Sequence, residues 1–195
     1  GSFTQIGPAT GGGVPIDAGS GVPGIGFPKV AGSVWAVATD GAGGWYIGGS
    51  FAAVGGVARS NLAHIKADNS VSDWTPNPNG VVFALAVSGT TVYASGNFTN
   101  IGGQVRYGGL AALDATSGLA TSWDPDPNDW AFALAVSGTT VYAGGDFTSI
   151  GGQARNLIAA LDATTGLATA WNPNAKGFRV YLLAVAGPTV YVGGQ

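Results

Sequence analysis

The chain has 195 residues, a net charge of −3 and only seven Lys and Arg, and it contains no Cys. So few and scattered cations cannot neutralise a row of phosphates, which excludes nucleic acid as an expected partner. The lack of Cys excludes a disulfide framework and thiol chemistry, and no apolar run approaches the roughly 18 residues of a membrane span.

The composition predicts an all-β fold. The chain holds 35 Gly, only 9% charged residues, and no Met or Glu. Gly is a poor helix former, whereas Glu and Met are strong ones, so long helices are not expected. The frequent Val, Thr and aromatic residues favour short strands. No charge-rich or low-complexity segment separates one part from another, so we expect residues 1–195 to form a single domain.

The chain opens in the middle of a repeat. FTQIG at residues 3–7 and PIDAGSGV at residues 15–22 match FTSIGG and ALDATTGL, which lie much later in the chain. Phe27 and Pro28 stand approximately where later copies have Trp and Pro. Residues 1–30 therefore correspond to the second half of a divergent unit.

Three whole units and a final half follow. Residues 82–127 read VFALAVSGTTVYASGNFTNIGGQVRYGGLAALDATSGLATSWDPDP, and residues 131–174 repeat them as AFALAVSGTTVYAGGDFTSIGGQARNLIAALDATTGLATAWNPN. The equivalent residues Phe3, Phe51, Phe98 and Phe147 are 48, 47 and 49 residues apart. This period is within the roughly 40 to 50 residues of a propeller blade. We divide the chain into a half blade 1–30, blades 33–80, 81–129 and 130–176, and a half blade 177–195.

Each unit predicts four antiparallel strands, and the fold is therefore a β-propeller of about four blades. In the second whole unit, strand A covers Phe83–Val87, strand B Thr91–Asn97, strand C about Gly109–Leu113, and strand D Leu119–Trp123. The A–B and C–D turns are short and fall on one rim, while the longer B–C and D–A connections fall on the other. We call the rim that carries the B–C and D–A connections the long-loop rim, and we expect any ligand to bind there.

The two half blades allow two arrangements. The termini of one chain can meet in one blade, which removes exposed strand edges and closes a ring of four. Alternatively, the chain is four repeats of a larger ring, and its half blades pair with absent or neighbouring chains. Self-association through the half blades is part of this second hypothesis.

The segments GGSFAAVGGVARSNLAHI, SGNFTNIGGQVRYGGLAAL and GGDFTSIGGQARNLIAALDATTGLATAWNPNA carry a recurring G-G-x-F-T-x-I-G-G-x-x-R-N pattern. They resemble the repeats of bacterial extracellular β-propeller domains of uncharacterised function, the delta-60-like group. The resemblance covers nearly the whole chain, except that the first half blade lacks the Arg. It implies a propeller of about seven blades and a surface setting, and it supplies no catalytic residue. It favours the larger ring.

Repeated polar residues predict structural roles. Arg59, Arg106 and Arg155 occupy one phase of the repeat, so we expect them to bond carbonyls of a neighbouring blade, or an Asp such as Asp146. A ring of cations for acidic sugars is the alternative. Asp114 and Asp162 precede A-T-[ST]-G and are expected to accept hydrogen bonds within turns.

Two features of the sequence are candidates for metal binding or catalysis. Asp124, Asp126 and Asn128 alternate in the linker WDPDPND with the spacing of a calcium loop. A downstream Glu is missing and the sister units differ, so a turn without metal is the preferred interpretation, and no cofactor is expected. The single His64 has no Cys, Glu or second His to join it and is expected to be a packed or rim histidine.

The candidate ligand-binding residues are aromatics that break the repeat. Trp74, Trp123 and Trp171 recur and are expected to be packing residues of strand D. Trp130 occurs in one unit only and lies beside Asp129 in a D–A connection. Tyr107 and the pair Phe178–Arg179 lie in equivalent long connections. A flat ring with a polar edge suits a carbohydrate or a peptide, so these five residues form the weak candidate site.

The sequence predicts a non-enzymatic β-propeller, extracellular or on the bacterial cell surface, that acts as a binding or display module through its long-loop rim. The alternative is a structural repeat of a surface fibre or adhesin that assembles with other subunits. A quinone-dependent dehydrogenase is a third class, because ALDATSG and ALDATTG followed by Trp are similar to repeats of pyrroloquinoline-quinone dehydrogenases. The cofactor-binding acidic residues and calcium site of that class are not visible.

Overall fold

The structure is a computed structural model that describes residues 11–195, and the expectation for FTQIG at residues 3–7 falls outside them. All regular secondary structure in the described part is β, in sixteen strands. The strands are β1 (Val30–Thr39), β2 (Trp45–Val54), β3 (Val57–Ala58), β4 (Leu62–Ile65), β5 (Val82–Ser88), β6 (Thr91–Gly96), β7 (Asn100–Ile101), β8 (Gln104–Val105), β9 (Leu110–Asp114), β10 (Ala131–Ser137), β11 (Thr140–Gly145), β12 (Ser149–Ile150), β13 (Gln153–Ala154), β14 (Ile158–Asp162), β15 (Val180–Ala186) and β16 (Thr189–Gly194).

The strands form three blades and a half blade. The first blade is β1–β4, the second β5–β9, the third β10–β14, and the half blade β15–β16. In the second and third blades the main sheet runs β5-β6-β9 and β10-β11-β14, and every pairing in these sheets is antiparallel. These sheets contain the predicted strands A, B and C in the predicted order. Their ends differ from the prediction by one residue.

The prediction of strand D is wrong. In place of a strand over Leu119–Trp123, the chain makes one isolated bridge between Ala120 and Leu113, and the third blade repeats it between Ala168 and Leu161. The outer segment still bonds to strand C through its backbone, from the Asp114 amide to the Leu119 carbonyl and from the Thr121 amide to the Ala112 carbonyl. The Arg106 guanidinium adds a bond to the carbonyl of Thr121 at 2.6 Å. The main sheet of the second and third blades therefore has three regular strands, and the outer segment joins it at one bridge.

The B–C connection also contains regular secondary structure. It contains a small hairpin, β7–β8 in the second blade, that turns at Gly102 and Gly103 with φ of 57° and 77°. Two successive positive φ values are characteristic of the type I′ turn, whose twist matches that of the strands it joins. The GG pair of the repeat is thus required by backbone conformation.

The repeated arginines have the predicted structural role, with different partners. Each donates one N–H to the carbonyl of the preceding residue and another to a carbonyl of the outer segment of its own blade, not of a neighbouring blade. The outer acceptors are Ser72 for Arg59, Thr121 for Arg106 and Thr169 for Arg155. Arg59 and Arg106 are buried. These contacts fix the outer segment of each blade and leave no exposed ring of cations at these positions.

Each blade packs against its neighbours through two faces. The leading face points to the next blade along the chain and the trailing face to the previous one. Tyr46, Leu62 and Trp74 of the first blade share one apolar cluster with Val82 and Leu85 of the second. An equivalent cluster joins the second and third blades. The inner strands contact one another in chain order, β1 with β5, β5 with β10 and β10 with β15, so the blades are arranged around an axis.

A tryptophan crosses each boundary between whole blades. The indole Nε1 of Trp74 donates to the carbonyl of Asp114 in the second blade at 3.0 Å, and Trp123 donates to the carbonyl of Asp162 in the third at 3.0 Å. Both rings are buried. The prediction that these residues pack is confirmed, and their N–H groups find acceptors in the adjacent blade.

The same aspartates organise the turn that follows strand C. The Oδ1 of Asp114 accepts hydrogen bonds from the amides of Thr116 and Ser117 and from the hydroxyl of Ser117. The amide and hydroxyl of Ser117 hold the pKa of Asp114 below its usual range, and Thr165 does the same to the pKa of Asp162. The predicted turn role of both residues is confirmed.

We expect Trp123→Phe to lower the free energy of unfolding by about 2 kcal/mol, because it removes a buried hydrogen bond and leaves space in the boundary. Urea denaturation measures the change. Trp130→Phe is the matched control, since that ring is partly exposed, and it should change the free energy by no more than about 0.5 kcal/mol. Equal effects of the two changes would contradict the role of the buried indole.

Stability is expected to fall as the pH falls. Because the pKa values of Asp114 and Asp162 are lower in the folded chain, their contribution is complete above the unfolded value of about 3.9 and is lost as the pH falls through the folded values. In the double variant Asp114→Asn, Asp162→Asn, the amide oxygen still accepts, so stability at pH 7 is retained while the acid-induced loss shrinks. Thermal melts from pH 7 to pH 2, with Asp73→Asn as control, measure this; an unchanged acid profile is the contrary result.

Candidate functional site

A β-bulge lies at the same position in each inner strand. In β1, β5, β10 and β15 the pairing with the next strand skips one residue, which is the second residue of the strand in β5, β10 and β15. The skipped residues are all aromatic: Trp35, Phe83, Phe132 and Tyr181. A bulge turns a side chain out of the regular alternation of the sheet. Each blade therefore contributes one aromatic ring that is not part of its own ladder.

The four rings form a continuous row from blade to blade. Trp35 stacks on Phe83 with ring centroids 5.7 Å apart, and Phe83 stacks on Phe132 at 5.1 Å. Tyr181 lies 6.1 Å from Phe132 in a tilted arrangement. Trp130 packs edge-on against Phe83 and Phe132, at 5.9 Å and 6.3 Å. We call these five residues the axial aromatic cluster.

A cavity of about 320 Å³ lies beside the row. Three residues from each of the four inner strands line it, among them Trp35, Phe83, Phe132 and Tyr181. Trp35 is 59% exposed and Trp130 is 44% exposed, whereas Phe83 and Phe132 are half-buried. Because the bulges of β5, β10 and β15 directly follow D–A connections, the cluster lies at the end of the axis that faces the long-loop rim. The geometry offers an accessible surface on which aromatic rings lie beside exposed polar backbone groups.

One charged pair borders the cluster. The guanidinium carbon of Arg179 lies 4.4 Å from the centroid of the Phe132 ring and 5.4 Å from that of Tyr181. The Arg179 Nε donates to Asp146 Oδ1 at 2.6 Å, and a second N–H donates to Oδ2. This hydrogen bonding raises the pKa of Arg179, which stays charged. Asp146 therefore pairs with Arg179 and not with a repeated arginine, and it holds a cation over an aromatic face.

The structure brings together two of the five predicted ligand residues. Trp130 and Arg179 lie at the axial aromatic cluster, and Asp129 accepts a hydrogen bond from the Trp130 amide at 2.8 Å. Tyr107 and Phe178 are more than four-fifths exposed and lie outside the cluster as defined by its ring contacts. The ligand role of all five stays a prediction.

The predicted calcium residues have other partners. The Oδ1 of Asn128 accepts from the amides of Thr148 and Ser149, and the Asp124 carboxylate lies 3.5 Å from Arg106 Nη1. Asn79 makes the equivalent contacts in the preceding linker, which favours a structural role for this position. Within residues 11–195 no three His, Cys, Asp or Glu side chains are arranged to hold a metal ion.

His64 is a packed histidine that pairs with an aspartate. Its Nε2 lies 2.9 Å from Asp40 Oδ2, and its ring stacks on Tyr46 with centroids 4.4 Å apart. Burial raises the pKa of Asp40, but hydrogen bonds from His64 and from the amides of Ala42 and Gly44 outweigh it and hold the pKa below its usual range. The pair connects strand β4 to the turn between β1 and β2.

Sequence reasoning missed four of the five cluster residues. Trp35, Phe83, Phe132 and Tyr181 each follow a Val or Ala, and this recurrence of an aromatic at one phase was the available signal. Strict alternation places such a residue on one face of a blade. The bulge, which alternation does not predict, moves it towards the axis.

Comparisons with known proteins identify the fold. No family model and no curated protein matches the chain. It is similar to the computationally designed Ika4 protein, with 15% identity and a TM-score of 0.55 over 84% of this chain and 86% of that chain. It is similar to the computationally designed Ika8 protein, with 14% identity and a TM-score of 0.61 over 95% of this chain and 50% of that chain. The WD40 β-propeller domain of Doa1 matches with 12% identity and a TM-score of 0.57, over 83% of this chain and 48% of that chain.

These likenesses show the fold alone. The chain spans about half the length of the Ika8 and Doa1 chains. The resemblance to the delta-60-like group stays a prediction, since no family model supports it. No helix within residues 11–195 is long and apolar enough to cross a membrane. The predicted fold class is confirmed: the chain is an all-β protein with the β-propeller fold.

Proposed function

We propose that this chain is a non-enzymatic binding module whose ligand contacts the axial aromatic cluster at the long-loop end of the propeller. The observation that carries the proposal is the placement of an aromatic ring at the bulge of all four inner strands. Bulges are over-represented at the edges of sheets and next to active sites, where they redirect a side chain, and Trp35 at one of these bulges is 59% exposed.

A carbohydrate is the ligand class that the cluster fits best. The partly exposed rings of Trp35 and Trp130 offer apolar area to the flat face of a sugar, and the tilted Tyr181 adds a hydroxyl at the edge. Arg179, held by Asp146, supplies further N–H donors beside the rings. A peptide with an aromatic or cationic side chain is the second candidate, because the same rings attract cations.

The chemistry around the cluster supports binding without catalysis. The two carboxylates that contact cluster or border residues have structural partners, Asp146 in Arg179 and Asp129 in the Trp130 amide. The ALDATSG and ALDATTG strings, which are similar to those of quinone-dependent dehydrogenases, supply the Asp114 and Asp162 turns. A structural duty therefore accounts for that similarity.

The proposed setting is the surface or exterior of a bacterial cell. The low charge and the absence of Cys are compatible with this setting, as is the resemblance to extracellular repeat domains. A structural repeat of a fibre or adhesin is the second candidate function, and the observation that favours it is the open outer edge of β16 in the described part of the chain.

The ligand hypothesis is tested with a glycan array and a peptide panel, followed by titration of any hit while tryptophan fluorescence is recorded. We expect a carbohydrate hit whose affinity falls about fivefold to tenfold in Trp130→Ala, because an aromatic contact contributes about 1 kcal/mol beyond its buried area. Leu119→Ala is the matched control, since it removes an exposed apolar side chain next to the C–D turn, on the opposite rim. Either no hit on both screens, or a hit that Trp130→Ala leaves unchanged, would disprove the proposal.

A further inference from the structure

The last strand of the chain has an open edge. In the whole blades the second strand pairs on both sides, as β11 does with β10 and β14. In the half blade, β16 pairs with β15, and no other strand within residues 11–195 pairs with its outer edge. An unpaired edge presents a row of backbone donors and acceptors that another segment can use.

The opening segment, residues 11–29, already has the structure of the missing outer half. The Asp17 amide donates to the Val22 carbonyl and the Gly21 amide to the Asp17 carbonyl, as Asp114 does with Leu119 and Gly118 in the second blade. The Oδ1 of Asp17 accepts from the amide and hydroxyl of Ser20, which lower its pKa, just as Ser117 does for Asp114. Ile16 bridges Pro23 as Leu113 bridges Ala120.

The repeat gives the register of the missing pairing. In the third blade Thr140 pairs with Asp162, Tyr142 with Ala160, and Gly144 with Ile158. The equivalent pairs are Thr189 with Asp17, Tyr191 with Pro15, and Gly193 with Gly13.

Proline is compatible with this register. The Ala112 carbonyl accepts from the Thr121 amide, so the backbone groups of Ala112 face the outer segment and not the neighbouring strand β6. Pro15 accepts from the Gly24 amide in the same way. The pairing with β16 therefore does not need the N–H that Pro15 lacks.

Two blade faces are uncovered in a complementary way. On the leading face of the half blade Tyr191 is 60% exposed, whereas its counterpart Tyr93 is buried between two blades. On the trailing face of the first blade Val37 is 60% exposed, whereas its counterpart Leu85 is 9% exposed. A cavity of about 250 Å³ separates Val37 and Trp45 of that face from the opening segment. The inner half of a preceding blade would occupy this space.

Within residues 11–195, one indole also has no hydrogen-bond acceptor in the next blade. Trp171 is the counterpart of Trp74 and Trp123, it packs edge-on against Tyr142, and it is 37% exposed. Its counterparts donate to the carbonyls of Asp114 and Asp162. The aspartate at this phase of the opening segment is Asp17, so its carbonyl is the acceptor that the repeat assigns to Trp171.

The opening segment does not supply these contacts to its own chain in this structure. Gly11 bridges Val30, which places the segment against the first blade, while β15 packs against β10 and β11 at the other end of the run.

We propose that two copies of this chain close into one ring, in which the opening segment of each copy forms the outer half of the last blade of the other. Three whole blades and two half blades from each copy give a two-fold symmetric ring of eight blades. The two uncovered faces, the open edge and the exposed indole of each copy are then buried. This inference stands independently of the ligand site.

The pairing is tested with cysteines, which are otherwise absent from the chain. The double variant Pro15→Cys, Tyr191→Cys is oxidised gently and run on a non-reducing gel. We expect a covalent dimer of twice the 19.2 kDa of one chain, and light scattering of the unmodified chain should give the same mass. The control Pro15→Cys, Phe178→Cys places the second thiol on an exposed residue outside the register and should form no covalent dimer.

Two outcomes overturn the proposal. An internal disulfide in a monomer would show that one chain closes on itself as a ring of four blades. Free thiols together with a monomeric mass at all concentrations would show that the edge of β16 is not paired by this segment. A far-ultraviolet circular dichroism spectrum equal to that of the unmodified chain establishes that each variant is folded.

Discussion

The structure depends on the fact that no blade can cover its own faces. Each sheet has an apolar leading face and an apolar trailing face, and only adjacent blades can remove both from water. The indoles of Trp74 and Trp123 make this contact directional, because each N–H reaches one carbonyl in the next blade. The hydrophobic clusters hold the blades together, and the indoles determine how one blade is placed on the next.

The candidate site is separate from these clusters. The residues that pack between blades alternate regularly along the strands, whereas the aromatic cluster consists largely of residues that the ladder skips. Arg59, Arg106 and Arg155, which looked suitable for a charged ligand, are bonded to backbone carbonyls within their own blades. The charged group that does reach the cluster is Arg179, which belongs to one copy of the repeat and depends on Asp146 of another blade.

Much of the fold could be predicted from the sequence, because a period near 48 residues and alternating strands indicate a propeller directly. The packing role of the repeated tryptophans and the turn role of Asp114 followed from the same repetition. Strand D was wrong, because the outer segment meets strand C at one bridge and also bonds to the β7–β8 turn and to the Arg106 side chain, and the pattern of residue types does not show how far a pairing extends. Phe83 and Phe132 were missed as site residues, because a bulge changes the direction of a side chain without changing the pattern of residue types.

The bulges have a consequence for variation among the repeats. The position carries Trp in the first blade, Phe in the second and third, and Tyr in the half blade, while the neighbouring strand residues stay small or aliphatic. Rings of different size and polarity are accommodated there because the strand on the other side has no residue directly opposite. Chains that differ only at these four positions would share one backbone and present different surfaces to solutes at the end of the axis.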